Sequence, residues 1–148
     1  MKEIEFDKID RQILKILQSN ARKSLKEIAE EVFLSPPAVA SRIARLEANN
    51  IIMNYHVQIN HLALGYHIKA YINVEVEPKE KKEFYPYIKS CKNVVECDCV
   101  TGDYAMLLKV YFRSTAELDQ FIGKLQRFGR TKTLIVFSTA VDRDELMQ

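Results

Sequence analysis

Two helix starts set close together leave the first third of this chain little choice of fold. Ser24-Leu25-Lys26-Glu27 has the form of a capping box, in which the Ser hydroxyl and the Glu carboxylate satisfy each other's backbone donors. Ser35-Pro36-Pro37 opens another helix. Ser35 serves as N-cap, Pro36 brings a preset φ to the first helical position, and Pro37 fills a slot whose N–H has no intrahelical partner. Leu25, Ile28, Ala29 and Val32 line one face of the earlier helix, and Phe33-Leu34-Ser35 leaves room only for a tight turn between the two. In the later helix Val39, Ile43 and Leu46 recur at i, i+4 and i+7 and face a core, whereas Ala38, Ser41, Arg42 and Arg45 fall on the opposite side. That outer face is small residues plus guanidinium. Small side chains let a helix approach a surface closely, and arginine donates in bidentate fashion to guanine edges or to phosphate. The expectation is a DNA recognition helix.

A third helix precedes the pair. Asp7 is a good N-cap, Phe6, Ile9, Ile13, Ile16 and Leu17 follow with helical spacing, and Asn20 suits a left-handed stop. Three helices with a short turn between the second and third make a helix-turn-helix, whose last helix enters the major groove with its N-terminal residues nearest the bases. Arg22 and Lys23, just ahead of the second helix, are expected to contact DNA alongside Ser35, Pro37, Ala38, Ser41, Arg42 and Arg45. Asn50 can end the third helix in the left-handed conformation. Residues 51–59 are β-rich and read as a short wing or arm strand, and residues 61–65 read as a hinge.

The formal charge of +2 is nearly balanced, so any attraction for nucleic acid is local and salt-sensitive rather than global. No apolar run approaches the roughly 20 residues that span a bilayer. Met1-Lys2-Glu3 does not open a signal peptide, so the expected location is the cytoplasm, with no membrane partner. Cys91, Cys97 and Cys99 are odd in number and clustered, which fits a reducing compartment better than a disulfide framework.

The second half has a different period. Tyr66, Ile68, Ala70, Ile72, Val74 and Val76 alternate along a strand with one buried face. Residues 79–90 read as a helix that Pro86 either kinks or delays. Residues 94–101 and 105–112 read as strands joined through Gly102-Asp103, residues 115–128 as a helix stopped by Gly129, and residues 133–141 as a last strand. The order βαββαβ is the ferredoxin-like split arrangement. The fold class is therefore α+β, an N-terminal winged helix-turn-helix plus a C-terminal ferredoxin-like domain. Its boundaries are residues 1–60 for the DNA-binding part, 61–65 for the hinge and 66–148 for the sheet domain. With both helices on one sheet face the other needs cover. Tyr71, Val110, Phe112 and Val136, read as outward-facing, lead to the expectation of a homodimer packed sheet against sheet.

The succession Asp7-Lys8-Ile9-Asp10-Arg11-Gln12-Ile13-Leu14, Asn20-Ala21-Arg22, Glu27-Ile28-Ala29, Leu34-Ser35, Val39, Arg42-Ile43, Arg45-Leu46-Glu47, Ile51-Ile52 and Tyr55 resembles the Lrp/AsnC family of feast/famine transcriptional regulators. Thr101-Gly102-Asp103-Tyr104, followed by an apolar strand, resembles the effector loop of that family's second domain. The resemblance runs in order over nearly the whole chain. It implies binding to double-stranded DNA, an amino-acid effector, and dimers that assemble into larger rings such as octamers. Two departures stand out. Phe33 occupies a turn position that is commonly glycine, so a remodelled turn is expected. Ala105 replaces a carboxylate, so weak or altered binding of free amino acids is expected.

At the loop itself, Gly102 lets backbone N–H groups approach a ligand carboxylate, Asp103 can hold an ammonium group, and Tyr104 can cover an apolar side chain, with Ala105 completing the candidate site. A plain hairpin turn in which Asp103 caps its own backbone explains the same residues. Cys97 and Cys99 read as core or interface thiols and His56, His61 and His67 as hinge packing, so no metal or cofactor is expected. The competing classes are a small-molecule enzyme on the ferredoxin-like domain and a protein-interaction module. No nucleophile and base pair is present to support the enzyme.

Overall fold

The computed structural model describes residues 6–142, so Met1-Lys2-Glu3 and the end of the sheet domain at 143–148 lie outside the described residues. The chain divides into two compact units between Gln58 and Ile59.

The first unit contains α1 (Lys8–Ser19), α2 (Leu25–Val32) and α3 (Pro36–Ala48). Each starts where a side chain replaces a missing backbone partner. Asp7 accepts from the Asp10 amide at 2.8 Å while Asp10 accepts from the Asp7 amide at 3.3 Å. Ser24 and Glu27 form the second reciprocal pair, and Ser35 accepts from the Ala38 amide at 3.4 Å. Ile13, Ile28, Ala29, Val32, Val39 and Leu46 meet in one small core. Leu25, the first residue of α2, is half-exposed instead of joining that face. Asn20 ends α1 in extended rather than left-handed backbone, and its side-chain oxygen accepts from the Arg22 amide at 3.0 Å.

The turn into α3 is not remodelled. Phe33 adopts φ 56° and ψ 44°, its amide bonds Ala29 O, and the Leu34 amide reaches the same oxygen at 3.0 Å. This is the left-handed ending that glycine supplies elsewhere, here carried by a ring that is 92% exposed. Asn50 likewise adopts φ 56° just past α3. Residues 51–59 form no strand. Among the described residues no strand pairs with them, and a lone extended segment has no ladder to join. Met53, Tyr55, Val57 and Ile59 are consequently exposed.

The second unit contains β1 (Ile68–Val74), α4 (Lys81–Ser90), β2 (Val94–Cys99), β3 (Met106–Phe112), α5 (Thr115–Leu125) and β4 (Thr131–Ile135). The strands are antiparallel in the order β2-β3-β1-β4. Ala70, Ile72 and Val74 of β1 face Phe84 and Ile88 of α4 and Leu118, Phe121 and Leu125 of α5 in a single core. Helix α4 starts at Lys81 and runs on through Pro86. Gly129 has no alternative, since its φ is +149° and an added Cβ would stand 1.8 Å from Glu75 O.

The register corrects the reading of β3. Val110 pairs with Ala70 and Phe112 with Ile68, and antiparallel partners share a face, so Val110 and Phe112 point into the helix-covered core rather than outward. The open face carries Tyr71 from β1, Leu107 and Tyr111 from β3, Leu134 from β4 and Val136 just past its end, interspersed with Lys69 and with the Lys109–Glu96 pair. His61 belongs to the second unit and stacks on Tyr111 with ring centroids 4.1 Å apart.

Relieving the left-handed phenylalanine should stabilise the first unit. Phe33→Gly removes a backbone cost of about 1–2 kcal/mol, offset in part by the extra freedom of glycine in the unfolded chain. A net gain of about 0.5–1 kcal/mol, read as a rise of a few degrees in Tm by circular dichroism, is the expected result.

Candidate nucleic-acid interface and ligand loop

Helix α3 presents Ser35, Pro37 and Ser41 to solvent, with Ala38 part-buried between them. Behind this stripe lies an ionic cluster. Asp10, in the first turn of α1, is 0% exposed, and its carboxylate accepts from Arg42 Nη1 at 2.8 Å and from Arg45 Nη2. Arg42 Nη1 also donates to Asp7 Oδ2 at 2.6 Å. The bonds to Asp7 and then Asp10 raise the Arg42 pKa above its ordinary value.

This arrangement corrects the face assigned to Arg42. Arg42 follows buried Val39 by three residues and precedes buried Leu46 by four, so it shares their side of the helix and leans onto α1. Arg45 follows Ser41 by four and stays about half-exposed beside it, at 48%. Sequence reasoning missed Asp7 and Asp10 as partners. The only signal in the spacing is that Asp7-x-x-Asp10 and Arg42-x-x-Arg45 each place two like charges about one helical turn apart, negative at the start of α1 and positive on α3. Arg22 is exposed ahead of α2, and Lys23 pairs with Glu31 across it. At the far end of α3 the Tyr55 hydroxyl donates to Glu47 Oε1 at 2.8 Å. Burial and that bond push the Tyr55 pKa up to about 12.

In the second unit the loop between β2 and β3 is closed by the Val100 amide donating to Ala105 O at 3.0 Å. Thr101, Gly102 and Asp103 are exposed at its tip, Gly102 with φ +108°, while Tyr104 and Ala105 are part-buried and Ala105 packs on the core. Arg130, unremarked in the sequence, enters here from the start of β4. Its Nε donates to Glu75 Oε2 at 2.7 Å, and Glu75, then Tyr104 and Asp103, raise its pKa. The loop thus holds both signs of charge beside a tyrosine. A cavity of about 310 Å³ in this unit lies elsewhere, between α4 and α5, against Tyr87, Cys91, Phe112 and Phe121. Cys97 lies on the core side of β2, where burial raises its thiol pKa, followed by Asp98 and Cys99. Among the described residues no group of three or more His, Cys, Asp or Glu is placed to hold a metal ion, and no helix is long and apolar enough to cross a membrane.

The AsnC-type helix-turn-helix domain matches residues 6–47, and the Lrp/AsnC ligand binding domain matches residues 69–146. The chain is 35% identical over 132 residues to the HTH-type transcriptional regulator LrpA of Bacillus subtilis, covering 88% of this chain and 97% of that protein. The chain belongs to the Lrp/AsnC family. Its fold superposes on the structure of B. subtilis LrpC with a TM-score of 0.89 at 28% identity, covering 94% of this chain and 99% of the other. The feast or famine regulatory protein of M. tuberculosis, complexed with L-methionine, gives a TM-score of 0.86 at 25% identity and covers 97% and 100% of the two chains. The protein is accordingly an Lrp/AsnC-type transcriptional regulator with a DNA-binding helix-turn-helix unit and a ligand-binding unit. The relatives are regulators rather than enzymes.

The caps make the first unit of this Lrp/AsnC protein acid-sensitive. The Asp10 amide and then Arg42 hold the Asp7 carboxyl below its ordinary 3.8, and the Ser24 hydroxyl and then its amide hold Glu27 below 4.5. Folded values lower than unfolded ones lend stability that is present above the unfolded pKa and is lost as pH falls through the folded one. Urea unfolding followed from about pH 6 to about pH 2 should show this loss beginning near pH 4, and Asp7→Asn, which keeps an N-cap oxygen, should flatten it.

Proposed function

We propose that this regulator reads double-stranded DNA as a cytoplasmic homodimer, and that a small zwitterionic effector at the β2–β3 loop modulates it. Ser35, Pro37, Ala38, Ser41 and Arg45 form the surface of α3 that enters the major groove, Arg42 supports it from behind, and Arg22 and Lys23 meet the backbone. The observation that carries this reading is the exposed stripe from Ser35 through Ser41 to Arg45 at the N-terminal and middle turns of α3. Its side chains are small until Arg45, so the helix backbone can come close to base edges. A two-fold dimer would set two such helices about one turn of DNA apart, roughly 34 Å.

The dimer is built on the open sheet face, which offers Tyr71, Leu107, Tyr111, Leu134 and Val136. Pairs of dimers then assemble into larger rings, octamers among them. In the effector site, backbone amides near Gly102 and the Arg130 guanidinium receive a carboxylate, and Asp103 receives an ammonium group. Thr101 and Tyr104 flank the ligand, and Ala105 leaves space where an acid would stand. The exposure of Thr101, Gly102 and Asp103 supports a site completed by a second copy at the dimer-assembly interface. The L-methionine complex of the M. tuberculosis protein supports an apolar amino acid as the first ligand to try.

On a duplex selected by the wild type, Arg45→Ala should weaken binding by about 1–3 kcal/mol and relax preference at one base position. Uniform weakening on all sequences would mean a phosphate role. In thermal shift, L-methionine at saturating concentration should raise Tm by a few degrees and Asp103→Ala should abolish the gain. Silence across a full amino-acid panel would remove the effector site assigned here.

A further inference from the structure

The two arginines of α3 are tied to the same carboxylate but not in the same way. Arg42 spends one nitrogen, Nη1, on both Asp7 and Asp10 and is 26% exposed. Arg45 gives Nη2 to Asp10 and remains 48% exposed. A guanidinium carries five N–H donors in a planar fork, so Arg45 keeps an unused edge after Asp10 is satisfied. Ser41 one turn before it is exposed, which puts that edge on the stripe described above. The cluster also balances, with two carboxylates against two guanidiniums, so α3 carries little net charge toward its target.

We propose that Asp10, backed by Asp7, is a positioning residue for DNA recognition. It holds Arg45 so that the free edge of the fork faces a base or phosphate, and it cancels the charge that would otherwise draw α3 onto any phosphate backbone. Discrimination then comes from fit along the Ser35–Ser41–Arg45 stripe and not from bulk attraction. This inference rests on the DNA reading above. It adds that an acid buried under the recognition helix is what keeps non-specific affinity low.

The test compares wild type, Asp10→Asn and Asp7→Asn by fluorescence anisotropy over a salt series. One duplex is selected by the wild type from a randomised library, and the other is its scrambled counterpart. Asp10→Asn should bind the scrambled duplex about tenfold tighter at low salt, with a log–log salt slope steeper by about 0.9 for each guanidinium released to a phosphate. The ratio of selected to scrambled affinity should fall about tenfold or more. Asp7→Asn, which retains the N-cap oxygen but not the charge, should steepen the slope in the same direction and remain folded with a modest loss of thermal stability at neutral pH. Parallel weakening on both duplexes at unchanged slope would mark Asp10 as merely structural and overturn the proposal, as would binding indistinguishable from wild type. Should Asp10→Asn fail to fold, the Asp7→Asn slope decides alone, and an unchanged slope overturns it. A wild type that selects no duplex overturns the DNA reading itself and this inference with it.

Discussion

The first unit depends on one buried carboxylate. Its apolar core is small, and a handful of aliphatic side chains such as Ile13, Ile28, Val39 and Leu46 can slide over one another at little cost. Asp10 removes that freedom, because it can be buried only where Arg42 and Arg45 reach it. Its place in the first turn of α1 helps, since the unsatisfied amides there carry partial positive charge and favour an anion. A buried ion cluster of this kind adds little net stability, as desolvation offsets most of the attraction. What it contributes is a defined angle and rotation of α3 against α1, and that is the property a recognition helix needs.

The turn at Phe33 shows the same priority of geometry over local comfort. A bulky residue in the left-handed region costs free energy, and its exposed ring gains nothing by packing. The conformation persists because both ends of the turn are fixed by other things. Val32 is in the core behind it, Ser35 caps α3 ahead of it, and the amides of Phe33 and Leu34 share the Ala29 carbonyl. Asn50 takes the same conformation at lower cost, because its short polar side chain suits that region.

What was legible in the sequence was local. Asp7, Ser24 and Ser35 mark their helix starts because a cap is satisfied within three residues. The alternation from Ile68 to Val76 names its buried face because the strand period is two. What was not legible required a partner distant in sequence. Arg42 looks outward on a helical wheel until the carboxylates some thirty residues earlier are placed beside it. The face of Val110 and Phe112 follows from their pairing with β1, which the sequence of β3 does not contain. Residues 51–59 have the composition of a strand, but a strand needs another beside it, and among the described residues none pairs with them. Arg130 was overlooked beside the β2–β3 loop for the same reason, since only the sheet order brings β4 beside the end of β1.

That sheet order bears on how a ligand at the loop could matter at all. A ligand shifts an equilibrium only by as much as its affinity differs between the two states. Thr101 and Asp103 lie at a loop tip and Arg130 and Glu75 at neighbouring strand ends, so one bound molecule would touch β1, β3 and β4 together. Those three strands carry Tyr71, Leu107, Tyr111 and Leu134 on the uncovered face. A packed sheet resists bending strand by strand, so a contact across three strand ends acts on the face as a unit rather than on one residue. Asp103 and Arg130 offer opposite charges to such a molecule, whereas Ala105 offers none. The affinity difference between assembled and separate copies must then come from what a second copy brings to the exposed side of the loop.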